Sequence, residues 1–257
     1  MPLGVKIFGI LNITPDSFSD GGMYSSRDAA AKKALQMIKD GADVIDIGGM
    51  STRPGFTDVS EEEELERILP VITSIKEKCP DAVISVDTFR ARTALATLNA
   101  GASIINDITG LQADKDMAGV IAEKDAGAIL MRNGFSKSLN LTGDLDVSVK
   151  LSEEAGISKD KIYLDPGIGF TDSRDDDIKL IKSVQQLRST FGLPVLVGAS
   201  RKRITAQFYN EETEPRNREG ASLAVAIYAA LKGAGAVRVH DVKQTAAALK
   251  VMEKLEE

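Results

Sequence analysis

The chain has 257 residues, 43% of them hydrophobic, and a net charge of −6. That is apolar material enough for two small domains or one large α/β barrel, and the acidic balance excludes a general nucleic-acid surface while leaving room for one basic pocket. A single cysteine, Cys79, excludes an internal disulfide framework and suits a reducing compartment; with no membrane-length apolar run and no secretory pattern, a cytoplasmic protein is expected.

The first strand-like run is residues 5–12, VKIFGILN, followed at once by the polar, turn-rich stretch TPDSFSDGG. Two serines and several Gly or Pro breaks predict a mobile loop there. A helix is expected over 27–40, then the run DVIDIGG and the loop GGMSTRPG. Over 60–78, Leu65, Ile68, Leu69, Ile72 and Ile75 recur on one helical face, and Ser60 and Glu63 have capping-box spacing. Pro70 should kink this helix or shift its start, and Cys79 reads as a solitary helix-end residue. The runs AVISVDT, SIINDI, GAILMRN, KIYLDPG, LPVLVGAS and GAVRVHDV follow, separated by helical stretches near 90–100, 115–124, 145–155, 175–191 and 218–233, with a last helix over 242–255.

Strict strand–helix alternation implies a parallel sheet, and eight such units in one chain without a linker predict a single (β/α)8 TIM barrel over residues 1–257. Polar residues end almost every run: Asn12, Asp46, Asp87, Asn106, Arg132, Asp165, Ser200 and Arg238. A doubly wound sheet would gather its ligand at one crevice. Polar ends contributed by every strand instead suit a barrel, with its site where the C-terminal strand ends converge.

Two constellations carry chemistry. Asp87, Asn106 and Asp165 can accept hydrogen bonds from the amino and ring N–H groups of a heterocycle, and the amide can also donate. Any one of them could as well cap the helix that follows; the set points to a pterin- or guanine-like edge. Arg201, Lys202 and Arg203 after the seventh run, with Arg238 and the lone His240 on the eighth, lie where barrels often hold phosphate and can grip a polyanion. Thr52, Arg53 and Pro54 add a hydroxyl, a charge and a stiff turn to a loop over the mouth. The acidic runs SEEEE and RDDDI read as solvated first-turn residues that favour the helix dipole, not as metal sites. Zinc spacing, a Walker-type loop and a serine nucleophile elbow are all missing.

In order along the chain, GILNITPDSFSDGG, GGMSTRPG, SVDTFR, INDI, LDPGIGF, SRKR and RVHDV resemble the dihydropteroate synthases, the folate-pathway transferases that sulfonamides inhibit. The resemblance covers essentially the whole chain. It implies a (β/α)8 barrel, usually dimeric. The implied reaction joins 4-aminobenzoate to a dihydropterin methyl diphosphate, with Mg2+ as cofactor, and releases diphosphate. It assigns the pterin to Asp87, Asn106, Asp165 and Lys202, and the metal to Asn12. Asn12, Thr52, Arg53, Arg238 and His240 would meet the diphosphate, and Phe18, Ser19, Pro54 and Arg203 the aminobenzoate or a sulfonamide. Arg238, His240 and Lys202 would be the catalytic groups. On this reading Arg238→Ala should weaken diphosphate binding while sparing a pterin without phosphates. Two positions depart from the family pattern: Arg132 stands where a histidine is common, and Asp172 where a lysine is usual. The segment 135–151 is also short for the fifth crossover. Two other classes remain open, a non-catalytic pterin-binding paralogue and a methyl-folate methyltransferase of related barrels. The basic anion set argues against the second, since methyl transfer releases no diphosphate.

Overall fold

The computed structural model describes residues 4–13, 22–50, 59–136, 140–209 and 213–256. Thr52, Arg53, Pro54, Phe18 and Ser19 lie outside the described residues, as does most of each loop that carries them.

Among the described residues, eight parallel strands alternate with helices: β1 Lys6–Asn12, α1 Gly22–Asp40, β2 Val44–Gly48, α2 Glu61–Lys78, β3 Ile84–Asp87, α3 Ala91–Asn99, β4 Ile104–Asp107, α4 Met117–Glu123, β5 Gly127–Met131, α5 Leu141–Ala155, β6 Ile162–Asp165, α6 Arg174–Lys182, α7 Val184–Phe191, β7 Leu196–Val197, α8 Arg203–Ala206, α9 Glu219–Leu231, β8 Ala236–Val239 and α10 Val242–Glu256. The strand order is β6-β5-β4-β3-β2-β1-β8-β7. A parallel bridge between Leu164 and Val195, with Leu164 N–H donating to the Pro194 carbonyl at 2.9 Å, joins the two ends and closes the barrel.

Alternation along each strand divides the core in two. Ile45, Ile47, Ile84, Val86, Ile105, Leu130, Leu164 and Val237 belong to the large outer core shared with helix residues such as Ile68, Ile72, Ile75 and Ile121. Phe8, Val44, Ile129, Leu196 and Ala236 form a separate inner cluster, with Ile104 and Tyr163 packed against it. The Phe8 and Tyr163 rings meet edge to face at 5.6 Å. These apolar side chains make the floor of the barrel. Two residues further up, the same inward face turns polar on four of the strands: Val44 is succeeded by Asp46, Ile104 by Asn106, Tyr163 by Asp165 and Ala236 by Arg238, whereas Phe8 is succeeded by Ile10 and Ile129 by Met131.

The helices depart from the sequence expectations at three points. α2 runs through Pro70 unbroken, with the Ser60 hydroxyl accepting from Glu63 N–H at 3.1 Å as the capping-box spacing predicts. The single helix expected over 175–191 is two, divided at Ser183, whose N–H and hydroxyl both donate to the Leu180 carbonyl and tighten the turn there. The acidic runs are not uniformly solvated. Glu64 and Asp177 are both fully buried, because the fourth position of one run and the third of the other face the barrel rather than water. Glu64 pairs with Arg90 at 2.6 Å and accepts from the Thr93 hydroxyl at 3.3 Å. Arg90 in turn donates to the Val59 carbonyl at 2.8 Å. Removing one partner of a buried pair costs about 3–5 kcal/mol. Glu64→Ala should therefore lower unfolding free energy by that amount in urea titrations, whereas Glu62→Ala, exposed on the same helix, should leave the urea midpoint almost unchanged.

Candidate active site

The polar upper half of the barrel interior is one connected network. Arg238 reaches inward from β8 and donates through Nε to Asp46 Oδ2 at 2.5 Å and through NH2 to Asp87 Oδ2 at 3.0 Å. Asn106 Nδ2 donates to the same Asp46 oxygen at 3.3 Å. In register Gly48 pairs with Asp87 and Asp87 with Asn106, which sets the Asp87 and Asn106 side chains beside each other, and the long Arg238 side chain reaches from β8 to Asp46 and Asp87. Asp165 sits opposite at the end of β6, its Oδ1 accepting from Gly167 N–H at 2.8 Å. Asp46, Asp87, Asn106 and Asp165 are all buried. One acceptor is left over: Asp87 Oδ1 is buried and has no hydrogen-bond partner among the described residues.

The basic run after β7 separates three ways. Arg201, with φ +59°, turns its guanidinium to Glu219 and its N–H to the Ser222 hydroxyl. Arg203 donates to the Thr171 carbonyl at 2.9 Å. Lys202 alone joins the network, donating from Nζ to the Ile168 carbonyl at 2.7 Å and lying 5.1 Å above the centre of the Phe170 ring. Gly169, with φ +85°, is required there, since a Cβ would stand 2.7 Å from Lys202 Cδ. His240 Nδ1 lies 2.9 Å from the Ser200 hydroxyl, which also accepts His240 N–H at 3.2 Å.

Burial and crowding set the charges. Burial pushes the Asp87 carboxyl up to about 7, with Asp46 adding to the shift and Arg238 opposing it. Burial also raises Asp165, against the pull of Lys202 and the Gly167 N–H. Lys202 is brought down to about 8 by burial, in spite of Asp165. Burial works against the charge on Arg238 too, but Asp46 and Asp87 outweigh it and hold the guanidinium protonated. Three acids and two bases thus share a confined space, in which burial raises the Asp87 carboxyl and lowers the Lys202 ammonium.

Asn12 ends β1, half-buried and paired in register with Gly48. Gly48 keeps the space between Asn12 and Asp87 open: a Cβ there would lie 3.6 Å from Asn12 Oδ1 and 3.7 Å from Asp87 Cβ. Among the described residues no group of three His, Cys, Asp or Glu side chains could enclose a metal. One amide oxygen beside an open space fits an ion such as Mg2+, which keeps few protein ligands and takes the rest from water and substrate phosphates.

Asp46 is the member of this network with no role of its own among the sequence expectations. Its signal was an acid at an inward position of the otherwise apolar DVIDIGG. Asp46 and Arg238 lie within their strands, not at the ends. Arg132, just past the end of β5, is buried and donates to the Phe170 carbonyl at 3.2 Å, while Asp172 is exposed.

A family model described as "Pterin binding enzyme" matches residues 8–240. The dihydropteroate synthase of Bacillus subtilis (strain 168) is 45% identical over 255 residues, covering 97% of this chain and 88% of that protein. The crystal structure of the Clostridium difficile dihydropteroate synthase in the presence of pteroic acid superposes with a TM-score of 0.91 at 37% identity, over 98% of this chain and 96% of that one. The Xanthomonas albilineans enzyme in complex with 7,8-dihydropteroate gives a TM-score of 0.87 at 35% identity, over 98% and 94%. Matched along nearly its whole length in both sequence and fold, the chain belongs to the pterin-binding enzymes and, within them, to the dihydropteroate synthase family of transferases.

Proposed function

We propose that the chain condenses a (7,8-dihydropterin-6-yl)methyl diphosphate with 4-aminobenzoate inside this network. The observation that carries the reading is Asp87 Oδ1, a buried carboxylate oxygen lacking a partner among the described residues, beside Asn106 in register. A buried acceptor of this kind calls for a donor, and the guanidine-like edge of a pterin supplies several. Asp87, Asn106 and Asp165 hold that ring, and Lys202 donates to its other edge. Arg238 has two nitrogens on Asp46 and Asp87 and a third for an anion. With His240, Thr52 and Arg53 it takes the diphosphate. Phe18, Ser19, Pro54 and Arg203 receive the aminobenzoate or a sulfonamide.

In the reaction the bond from the pterin methylene carbon to diphosphate oxygen breaks and its electron pair leaves with the diphosphate. The arylamine lone pair then forms the new C–N bond and its nitrogen loses a proton. The protein needs no covalent nucleophile. It stabilises the departing charge through Arg238 and His240 and the electron-poor pterin through Asp87 and Asp165. Asn12 would hold Mg2+, which would neutralise part of the diphosphate charge.

Purified protein given Mg2+, the pterin diphosphate and 4-aminobenzoate should release dihydropteroate and diphosphate in equal amounts. Pterin binding without any product would assign the chain to the non-catalytic paralogue instead.

The titrations give a second expectation. Donors from the pterin favour ionised Asp87, so its carboxyl falls on binding and a proton is released; Lys202 must stay protonated to donate. Dihydropterin affinity should therefore rise as pH climbs toward 7 and fall again above about 8. Calorimetry at pH 6.5 in buffers of different ionisation enthalpy should detect the released proton.

The chain as one domain, a homodimer and a cytoplasmic location belong to the same proposal. The family resemblance supports the first two, and the single half-buried Cys79 supports a reducing compartment. Among the described residues no helix is long and apolar enough to cross a membrane.

A further inference from the structure

The loop after β6, Gly167 to Thr171, is fastened at every residue. Gly167 N–H donates to Asp165 and the Ile168 carbonyl accepts from Lys202, both within the network above. Two of the remaining fastenings come from outside it. Asp177, the buried acid at the start of α6, accepts from Gly169 N–H at 2.7 Å and from the Thr171 hydroxyl at 2.8 Å. Arg132 reaches from β5 and donates to the Phe170 carbonyl at 3.2 Å and the Ser136 carbonyl at 3.4 Å. Its backbone N–H bonds the Asp165 carbonyl at 2.9 Å. The ring of Phe170 is packed against the same β5 loop: a Cβ on Gly134 would stand 2.9 Å from Phe170 Cδ1.

Stability alone is a poor explanation for this pair. Asp177 is fully buried, yet its Oδ2 has no partner among the described residues. The hydrogen bonds that it accepts through Oδ1 from Gly169 and Thr171 both come from that one loop. Its field falls on both Arg132 and Lys202, favouring the charge on each. What the two residues do share is the loop that carries both contacts of Lys202, the Ile168 carbonyl and the Phe170 ring.

We infer that Arg132 and Asp177 are positioning residues for pterin binding, which hold Gly167–Thr171 so that Lys202 points into the barrel. The inference rests on the proposed role of Lys202. It also gives a role to a departure from the family pattern: the Arg132 guanidinium bonds the Phe170 and Ser136 carbonyls.

The test is a double-mutant cycle read by dihydropterin affinity, with melting temperature as the control for folding. Losing one hydrogen bond that orients Lys202 should weaken dihydropterin about tenfold in Arg132→Met, with part of that regained in Arg132→Lys. In a Lys202→Met background Arg132→Met should add almost nothing, because its effect passes through the missing ammonium. Asp177→Ala removes the acceptor for both Gly169 and Thr171, serves if Arg132→Met does not fold, and should likewise weaken dihydropterin and be silent in the Lys202→Met background. A lowered melting temperature with unchanged affinity would reduce both residues to structural ones, and an equal loss with and without Lys202 would refute the path through it. If Lys202→Met alone binds dihydropterin like the parent, the site assignment fails and takes the inference with it; if Lys202→Met is impaired and neither Arg132→Met nor Asp177→Ala is, the inference fails alone.

Discussion

Arg238→Ala is expected to lower the free energy of unfolding by about 3–5 kcal/mol, as removal of one partner from a buried ion pair does. The reason lies in what remains. Asp46 and Asp87 would face each other with their shared guanidinium gone, and Lys202 would be the main cation still acting on Asp87. Burial already pushes the Asp87 carboxyl up to about 7 against the pull of Arg238, so without Arg238 it would rise further and be protonated at neutral pH. A neutral carboxyl loses its advantage for the guanidine-like edge, and affinity for a pterin without phosphates should fall with it. This revises the expectation drawn from sequence, in which Arg238 served the diphosphate alone. Urea titration and pterin calorimetry on the one variant test both halves. Adding Asp46→Asn should recover much of the stability by relieving the excess charge. An unchanged urea midpoint in Arg238→Ala would show that the bridge contributes little.

Asp165→Asn is expected to weaken dihydropterin binding by about 10- to 150-fold, the range for losing a hydrogen bond to a charged group. The fold should not suffer. An amide oxygen can keep the Gly167 N–H bond, so the loop after β6 retains its first fastening. What disappears is the negative charge, and with it the strongest influence raising Lys202. Lys202 should then lose its proton below its present value of about 8, and the alkaline fall in pterin affinity should move to lower pH. Calorimetry across pH separates this from a simple loss of contact. Unchanged affinity in a folded variant would remove Asp165 from the pterin site.

Much of this architecture was legible because period-two alternation and strand-end polarity are local signals. DVIDIGG and KIYLDPG each show an acid two residues beyond an inward apolar side chain, so the upper interior could be read as polar. The helix break at Ser183 was not legible, since it depends on one hydroxyl turning back on the Leu180 carbonyl. Glu64 and Asp177 were misread because an acidic run looks the same whether its last member meets water or the barrel. Only the tertiary partners, Arg90 for one and the Gly169–Thr171 loop for the other, decide that. The same holds for Arg238. Its place on β8 was plain, but its two carboxylate partners lie 192 and 151 residues away in sequence.

The central claim is that the upper barrel interior receives the pterin edge-on to its acids. A crystal structure with bound dihydropterin tests it most directly. The account predicts the ring between Asp87, Asn106 and Asp165, with one of its N–H groups donating to Asp87 Oδ1 and Lys202 within hydrogen-bond reach. A pterin bound elsewhere, or one that leaves Asp87 Oδ1 without a donor, would contradict it.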